Sequence, residues 1–164
     1  MVERIRRREH HLPPVCYTGE VSVSITACVE NGRPVFTKSE IVTTFTEILS
    51  DSAARSYCIV PVYCFMPEHL HMIIQGLADS SDTWSVVTRF KQRTGYWFSK
   101  NSQAIWQKNF HDHILRRDES FANHVWYIVN NPVRRGLVQR WEEYAFTGSI
   151  GGNLKELLSD ICTI

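Results

Sequence analysis

The sequence predicts an α+β fold, an antiparallel sheet with helices packed on one face. Three observations carry that expectation. In "SYCIVPVYCFMPEHLHMIIQG" two apolar runs are broken only at "MPE", as in an antiparallel strand pair. Val21, Val23 and Ile25 alternate with polar residues, as on a half-buried strand. Two further segments repeat apolar residues at helical spacing and carry their charges on the other side.

Each element follows in order. Residues 1–16 read as a basic N-terminal arm, because "RIRRREHHLPP" is charged and Pro13-Pro14 opposes a helix there. A strand is expected near 17–29, closed by the turn "ENGRP". Ile41, Phe45, Ile48 and Leu49 define a helix, with Thr37 or Ser39 as its cap. Pro61 lacks an N–H and belongs at an edge or a bulge of its strand. Val86, Val87, Phe90, Trp97 and Phe98 mark the core face of a helix from about 82 to 100, with Arg89, Lys91 and Arg93 toward water. "IWQKNFHDHILRR" reads as a loop leading into a strand near 110–116. "DESFANHVWYIVNNPVRRGLV" reads as a helix capped by Asp118 and ended by Pro132. "WEEYAFTGSIGG" reads as irregular, and "NLKELLSDI" as a short last helix. The order β-α-β-β-α-β-α fits a ferredoxin-like plan. One domain over 17–149, followed by a tail over 150–164, accounts for the chain.

Composition narrows the class. An apolar share of 43% and an aromatic share of 12% supply a packed core and exclude a disordered chain. Five scattered cysteines without a CxxC point to free thiols rather than to a disulfide framework or a zinc finger. No apolar run reaches membrane-spanning length, and none follows the basic start as in a secretory signal. The expectation is a soluble, cytoplasmic protein. Its net charge of +1 conceals an asymmetry, since residues 81–140 hold ten Lys and Arg against four acids. That half fits a polyanion, or it is a set of solvated helix faces.

The segment "MPEHLHMIIQG" carries the chemistry. His69 and His71 are two apart on a strand, so both imidazoles leave the same face, while Leu70 and Met72 enter the core. Two such rings bind one divalent ion if a third ligand arrives; otherwise they are two half-exposed side chains. His111 and His113 repeat the spacing around a polar Asp112, and read as structural or substrate-contacting. In "HVWYIVNNPVRRG", Tyr127 and Asn131 are four apart and share a helix face. Asn131 offers a hard oxygen to Mg²⁺ or Mn²⁺. A cation holding a phosphate beside the Tyr127 hydroxyl is the arrangement for phosphoryl transfer to tyrosine.

The motifs "YCFMPEHLHMIIQG", "IWQKNFHDHILR", "YIVNNPVRRGLV" and "WEEYAFTGS", in that order, resemble those of the IS200-like single-tyrosine transposases. Within these the chain is most similar to the branch associated with repetitive extragenic palindromes. The resemblance spans about residues 17–149. It implies the ferredoxin-like fold, a metal pair at His69 and His71 completed by Asn131, and Tyr127 as catalytic nucleophile. It implies nicking and joining of single-stranded DNA near hairpins through a 5′-phosphotyrosine, with no ATP. It also implies a bacterial, nucleoid-associated protein acting as a monomer or homodimer. One departure is Glu68, where that branch commonly has Asn; this carboxylate either tightens metal binding or, as strand alternation favours, points to solvent. His124, one turn before Tyr127, reads as a surface histidine or a proton carrier.

DNA contacts are expected from Arg4, Arg6, Arg7 and Arg8 of the arm and from Arg89, Lys91, Arg93, Arg134 and Arg135. Among Trp84, Tyr96, Trp97 and Trp106, one or two can stack on unpaired bases and the rest belong to the core. Two alternatives stand beside the transposase. One is a non-catalytic DNA- or RNA-binding module on the same fold. The other is a metal-dependent hydrolase using His69, His71 and His111 or His113.

Overall fold

A computed structural model describes residues 11–116 and 119–162. Arg4, Arg6, Arg7, Arg8 and the expected cap Asp118 lie outside the described residues. The strands are β1 (Ser22–Cys28), β2 (Cys58–Met66), β3 (His69–Gly76), β4 (His111–Leu115) and β5 (Thr147–Ile150). The helices are α1 (Ser39–Ala54), α2 (Thr83–Asn101), α3 (Glu119–Val129), the short α4 (Asn131–Arg134) and α5 (Leu154–Cys162). The sheet order is β4-β1-β3-β2-β5, and every neighbouring pair is antiparallel.

The fold class is the α+β antiparallel sheet that the patterns predict. Val23, Ile25, Leu70, Met72 and Ile74 pack under α1 and α2, with Phe45, Leu49, Phe90 and Phe98 from those helices. This is the one-sided helix layer expected from the sequence. The opposite face is also covered. Val62, Cys64, Met66, Ile73 and Leu115 pack against Val125, Ile128 and Val129 of α3 and Leu154 and Leu158 of α5. The helices therefore occupy both faces, because α3 and α5 each carry an apolar stripe that needs a partner.

Pro61 sits at a bulge, one of its two expected settings. The register of β2 slips between Ile59 and Val62 against β3, so β2 holds one extra residue there. Before the slip Cys58 and Val60 face α1 and α2; after it Tyr63 and Phe65 do, and Val62, Cys64 and Met66 face α3 and α5.

Several local expectations change. Residues 147–150, read as irregular, form the edge strand β5, with Gly148 opposite Tyr63. A Cβ on Gly148 would lie 2.6 Å from the Tyr63 hydroxyl, so the glycine there admits the ring. The first strand is shorter than 17–29, and Tyr17 instead ends a 3₁₀ turn, Pro14–Tyr17. Proline is suited to the first position of such a turn, where no N–H is needed. The α1 cap position is Lys38, without a side-chain bond, rather than Thr37 or Ser39. For α2, the Asp82 carboxylate accepts from Ser85 N at 3.0 Å. Pro132 does not end a helix; it lies in the first turn of α4. All five cysteines are free thiols. No helix among the described residues is long and apolar enough to cross a membrane.

Candidate active site

The sheet registers bring the candidate residues into one row. Thr26 of β1 lies between His111 of β4 and His71 of β3, and His71 pairs with Cys64 of β2. Leu70 and Met72 enter the α1/α2 core, so His69 and His71 emerge on the α3 face, as alternation requires.

The two imidazoles converge. Their Nε2 atoms are 2.9 Å apart, with the rings nearly perpendicular at 84°. Two nitrogen ligands at right angles on one cation, each at about 2.1 Å, stand about 3 Å apart, so this separation suits a shared divalent ion. The other ring nitrogens are occupied. His71 Nδ1 lies 2.8 Å from Thr26 Oγ1, and His69 Nδ1 lies 3.1 Å from Glu68 Oε1. Such outer partners orient metal-binding imidazoles. Burial pushes the His71 ring down to about 3, helped by His69 and Arg134. Burial also lowers His69, against the pull of Glu68. Both rings are therefore uncharged at neutral pH and present lone pairs, as a metal requires.

Glu68 is the residue that alternation misreads. It belongs to the turn between β2 and β3, not to a strand, so its side chain swings to the histidine face. There it also accepts from Arg135 Nη1 at 2.9 Å. Burial opposes its ionisation, yet the Arg135 hydrogen bond and the neighbouring His69 hold the carboxyl below its usual range.

Tyr127 projects from α3 with 46% of its surface exposed. Its ring centroid is 5.8 Å from that of His71, edge to face, and the Arg134 guanidinium lies 4.5 Å over it. Thus His69, His71, Tyr127, Arg134 and Arg135 form one cluster, joined by Thr26 and Glu68. Asn131 is 6% exposed and opens α4, separate from the helix of Tyr127. The continuous helical face expected for Tyr127 and Asn131 is broken at Asn130. No group of three or more His, Cys, Asp or Glu is arranged to hold a metal among the described residues. Among the described residues the Asn131 amide is an oxygen donor of another type, the one the sequence pattern proposes as third ligand.

The remaining expected DNA contacts from α2 are engaged elsewhere. Arg89 donates to Ser52 O and Ser56 Oγ, each at 3.1 Å. Lys91 donates to Gln107 O at 2.7 Å and Lys108 O at 3.2 Å, and Arg93 pairs with Asp51. All three lie on the helix layer opposite Tyr127, where they tie α2 to α1 and to the 107–108 loop. Trp84, Trp97 and Trp106 pack in the core, whereas Tyr96 is 66% exposed with Lys100 over its ring. His124 stacks on His113, with centroids 5.5 Å apart. A hollow of about 850 Å³ lies at the other end of the sheet beside Gln75, Leu115, Phe121 and Leu157.

The comparisons with known proteins extend this geometry. A solved structure of a REP-associated tyrosine transposase bound to a REP hairpin has the same fold, with a TM-score of 0.64 and 22% identity over 85% of this chain and 81% of that one. A REP-associated tyrosine transposase of Escherichia coli K12 is 33% identical over 91 residues, which is 54% of this chain and 52% of that protein. A Haemophilus influenzae protein whose assigned name is of the same transposase type is 31% identical over 97 residues, covering 51% and 54%. The chain spans about half the length of the curated relatives it matches. The family described as transposase IS200 like matches residues 18–130, from before β1 to the end of the tyrosine helix, and the chain belongs to that family.

Proposed function

We propose that this chain is a metal-dependent endonuclease and strand transferase, a transposase acting on single-stranded or hairpin DNA. The observation that carries the reading is the convergence of the His69 and His71 Nε2 atoms beside the Tyr127 ring. Mg²⁺ or Mn²⁺ held by His69, His71 and the Asn131 amide would polarise the scissile phosphate. The Tyr127 oxygen forms the new bond to phosphorus, and the bond from phosphorus to the 3′ oxygen breaks. The phenolic proton goes to solvent, and the departing 3′ oxygen takes one up. The product is a 5′-phosphotyrosine and a free 3′-OH, and the reverse attack by another 3′-OH joins strands. Arg134, over the Tyr127 ring, offers charged donors to the phosphate oxygens as charge develops there. Arg135 extends that positive edge along α4.

A covalent trapping assay tests this. Labelled hairpin DNA from the flanks of the gene is incubated with the protein and Mn²⁺ or Mg²⁺, then run on a denaturing gel. A metal-dependent protein–DNA band, absent in Tyr127→Phe and His69→Ala, is the expected result. Cleavage that persists in Tyr127→Phe would replace the reading with a hydrolase. DNA binding without any band would replace it with a binding module.

A further inference from the structure

Pro67 and Glu68 form the two-residue turn between β2 and β3, closed by the Met66–His69 pair. Its backbone is pinned from outside. Val35 N and Phe36 N donate to Pro67 O at 2.8 and 3.0 Å, and Val29 N donates to Glu68 O at 2.9 Å. A side chain leaving so fixed a backbone has little freedom. Its Oε1 meets His69 Nδ1 at 3.1 Å and Arg135 Nη1 at 2.9 Å. One carboxylate oxygen thus touches a proposed metal ligand and also α4, which follows the tyrosine helix directly.

From this we infer that Glu68 is a positioning residue: it orients the His69 ring for a divalent cation and, through Arg135, ties α4 and the neighbouring Tyr127 to that ring. The inference rests on reading His69 and His71 as a cation site. An imidazole that binds a metal through Nε2 keeps a proton on Nδ1, and a carboxylate accepting that proton fixes the tautomer and strengthens the donor. His71 has the neutral Thr26 hydroxyl as its partner. Of these two partners Glu68 is the charged one, and it links the ring onward to Arg135, beside α4. The Arg135 side chain is 51% exposed, and ion pairs of that kind add little to folding stability. The effect of the pair therefore falls on the geometry of the site rather than on the fold.

Mn²⁺ binding to the whole chain without DNA tests this, measured from the electron paramagnetic resonance signal of free Mn²⁺. Glu68→Ala is expected to raise the Kd by about 10- to 100-fold with an unchanged urea midpoint. Glu68→Gln keeps an acceptor for Nδ1–H and is expected to recover most of the affinity. Arg135→Ala is expected to speed amide exchange over residues 131–136. A Glu68→Ala protein that binds Mn²⁺ within about twofold of wild type overturns the orienting role, since loss of such a partner costs at least tenfold. Unchanged exchange in Arg135→Ala overturns the tie to α4. A wild-type chain that binds no Mn²⁺ overturns the metal-site reading itself, a result distinct from the other two.

Discussion

Thr26 Oγ1 stands 2.8 Å from Nδ1 of His71, directly across the β1–β3 pair. The strand register fixes both partners, so the ring of His71 is aimed before any ligand arrives. Thr26→Val keeps the shape and removes the hydroxyl. It is expected to weaken Mn²⁺ binding about tenfold while leaving the fold intact, and Thr26→Ser is expected to recover it. Titration calorimetry of the three proteins reads the effect.

Arg134 is expected to matter more for the reaction than for holding DNA. Its guanidinium covers the Tyr127 ring, so under the proposed reaction it would meet the phosphate at the point of tyrosine attack. Arg134→Ala should slow adduct formation about 100-fold, on the scale of other lost transition-state donors. DNA affinity should fall far less, because one phosphate contact among several is lost. Single-turnover adduct formation at saturating hairpin DNA separates the two; equal losses in both would assign Arg134 to binding alone.

Gly148 is held by the space that Tyr63 needs. A side chain there would meet the Tyr63 hydroxyl at 2.6 Å and its ring carbon Cζ at 2.9 Å. Gly148→Val is expected to destabilise the protein by about 1–3 kcal/mol, as overpacking does. Combined with Tyr63→Leu, the valine should cost less than the two single changes together. Urea unfolding of the four proteins is the measurement.

Tyr17 links the 3₁₀ turn to β4 by donating to Asp112 Oδ2 at 2.5 Å and accepting from Leu12 N at 3.0 Å. Burial first, and then the Asp112 bond, push its phenol up to about 12. An unfolded tyrosine ionises near 10. Above that pH the unfolded chain releases a proton that the folded one retains. The stabilisation is therefore whole below pH 10 and is lost as pH rises through 12. Thermal melts of wild type and Tyr17→Phe should diverge below pH 10 and converge above it. A constant difference across that range would reject the assignment.

Much of this arrangement was legible because it depends on periods of two and of about 3.6. Alternation in β1 and β3 identified the core side and put His69 and His71 on the other. Helical spacing located α1 and α2. The misread features depend on contacts distant in sequence. Gly148 looks like loop punctuation until Tyr63 lies against it. Arg89 and Lys91 look free for a ligand until Ser52 and Gln107 are found to meet them, while Arg93 is exposed as expected but paired with Asp51. Glu68 follows no alternation because it lies in a turn, and Arg135, which meets it, is 67 residues away. The side of the sheet that α3 and α5 cover is likewise set by contacts distant in sequence.

The extra residue at Pro61 has a consequence for how the chain tolerates length changes. β2 presents one sequence to two helix layers, and the bulge is the point at which its parity inverts. Deleting that one residue would leave two steps from Ile59 to Val62 against two from Gln75 to Ile73, a regular ladder in which every side chain of β2 keeps its present face. Phe65 would stay under α1 and α2, and Met66, next to the Pro67–Glu68 turn, would stay under α3 and α5. A single-codon loss at this position would thus be absorbed, whereas the same loss between Val62 and Met66 would turn the residues beyond it to the wrong layer and act as several simultaneous core substitutions.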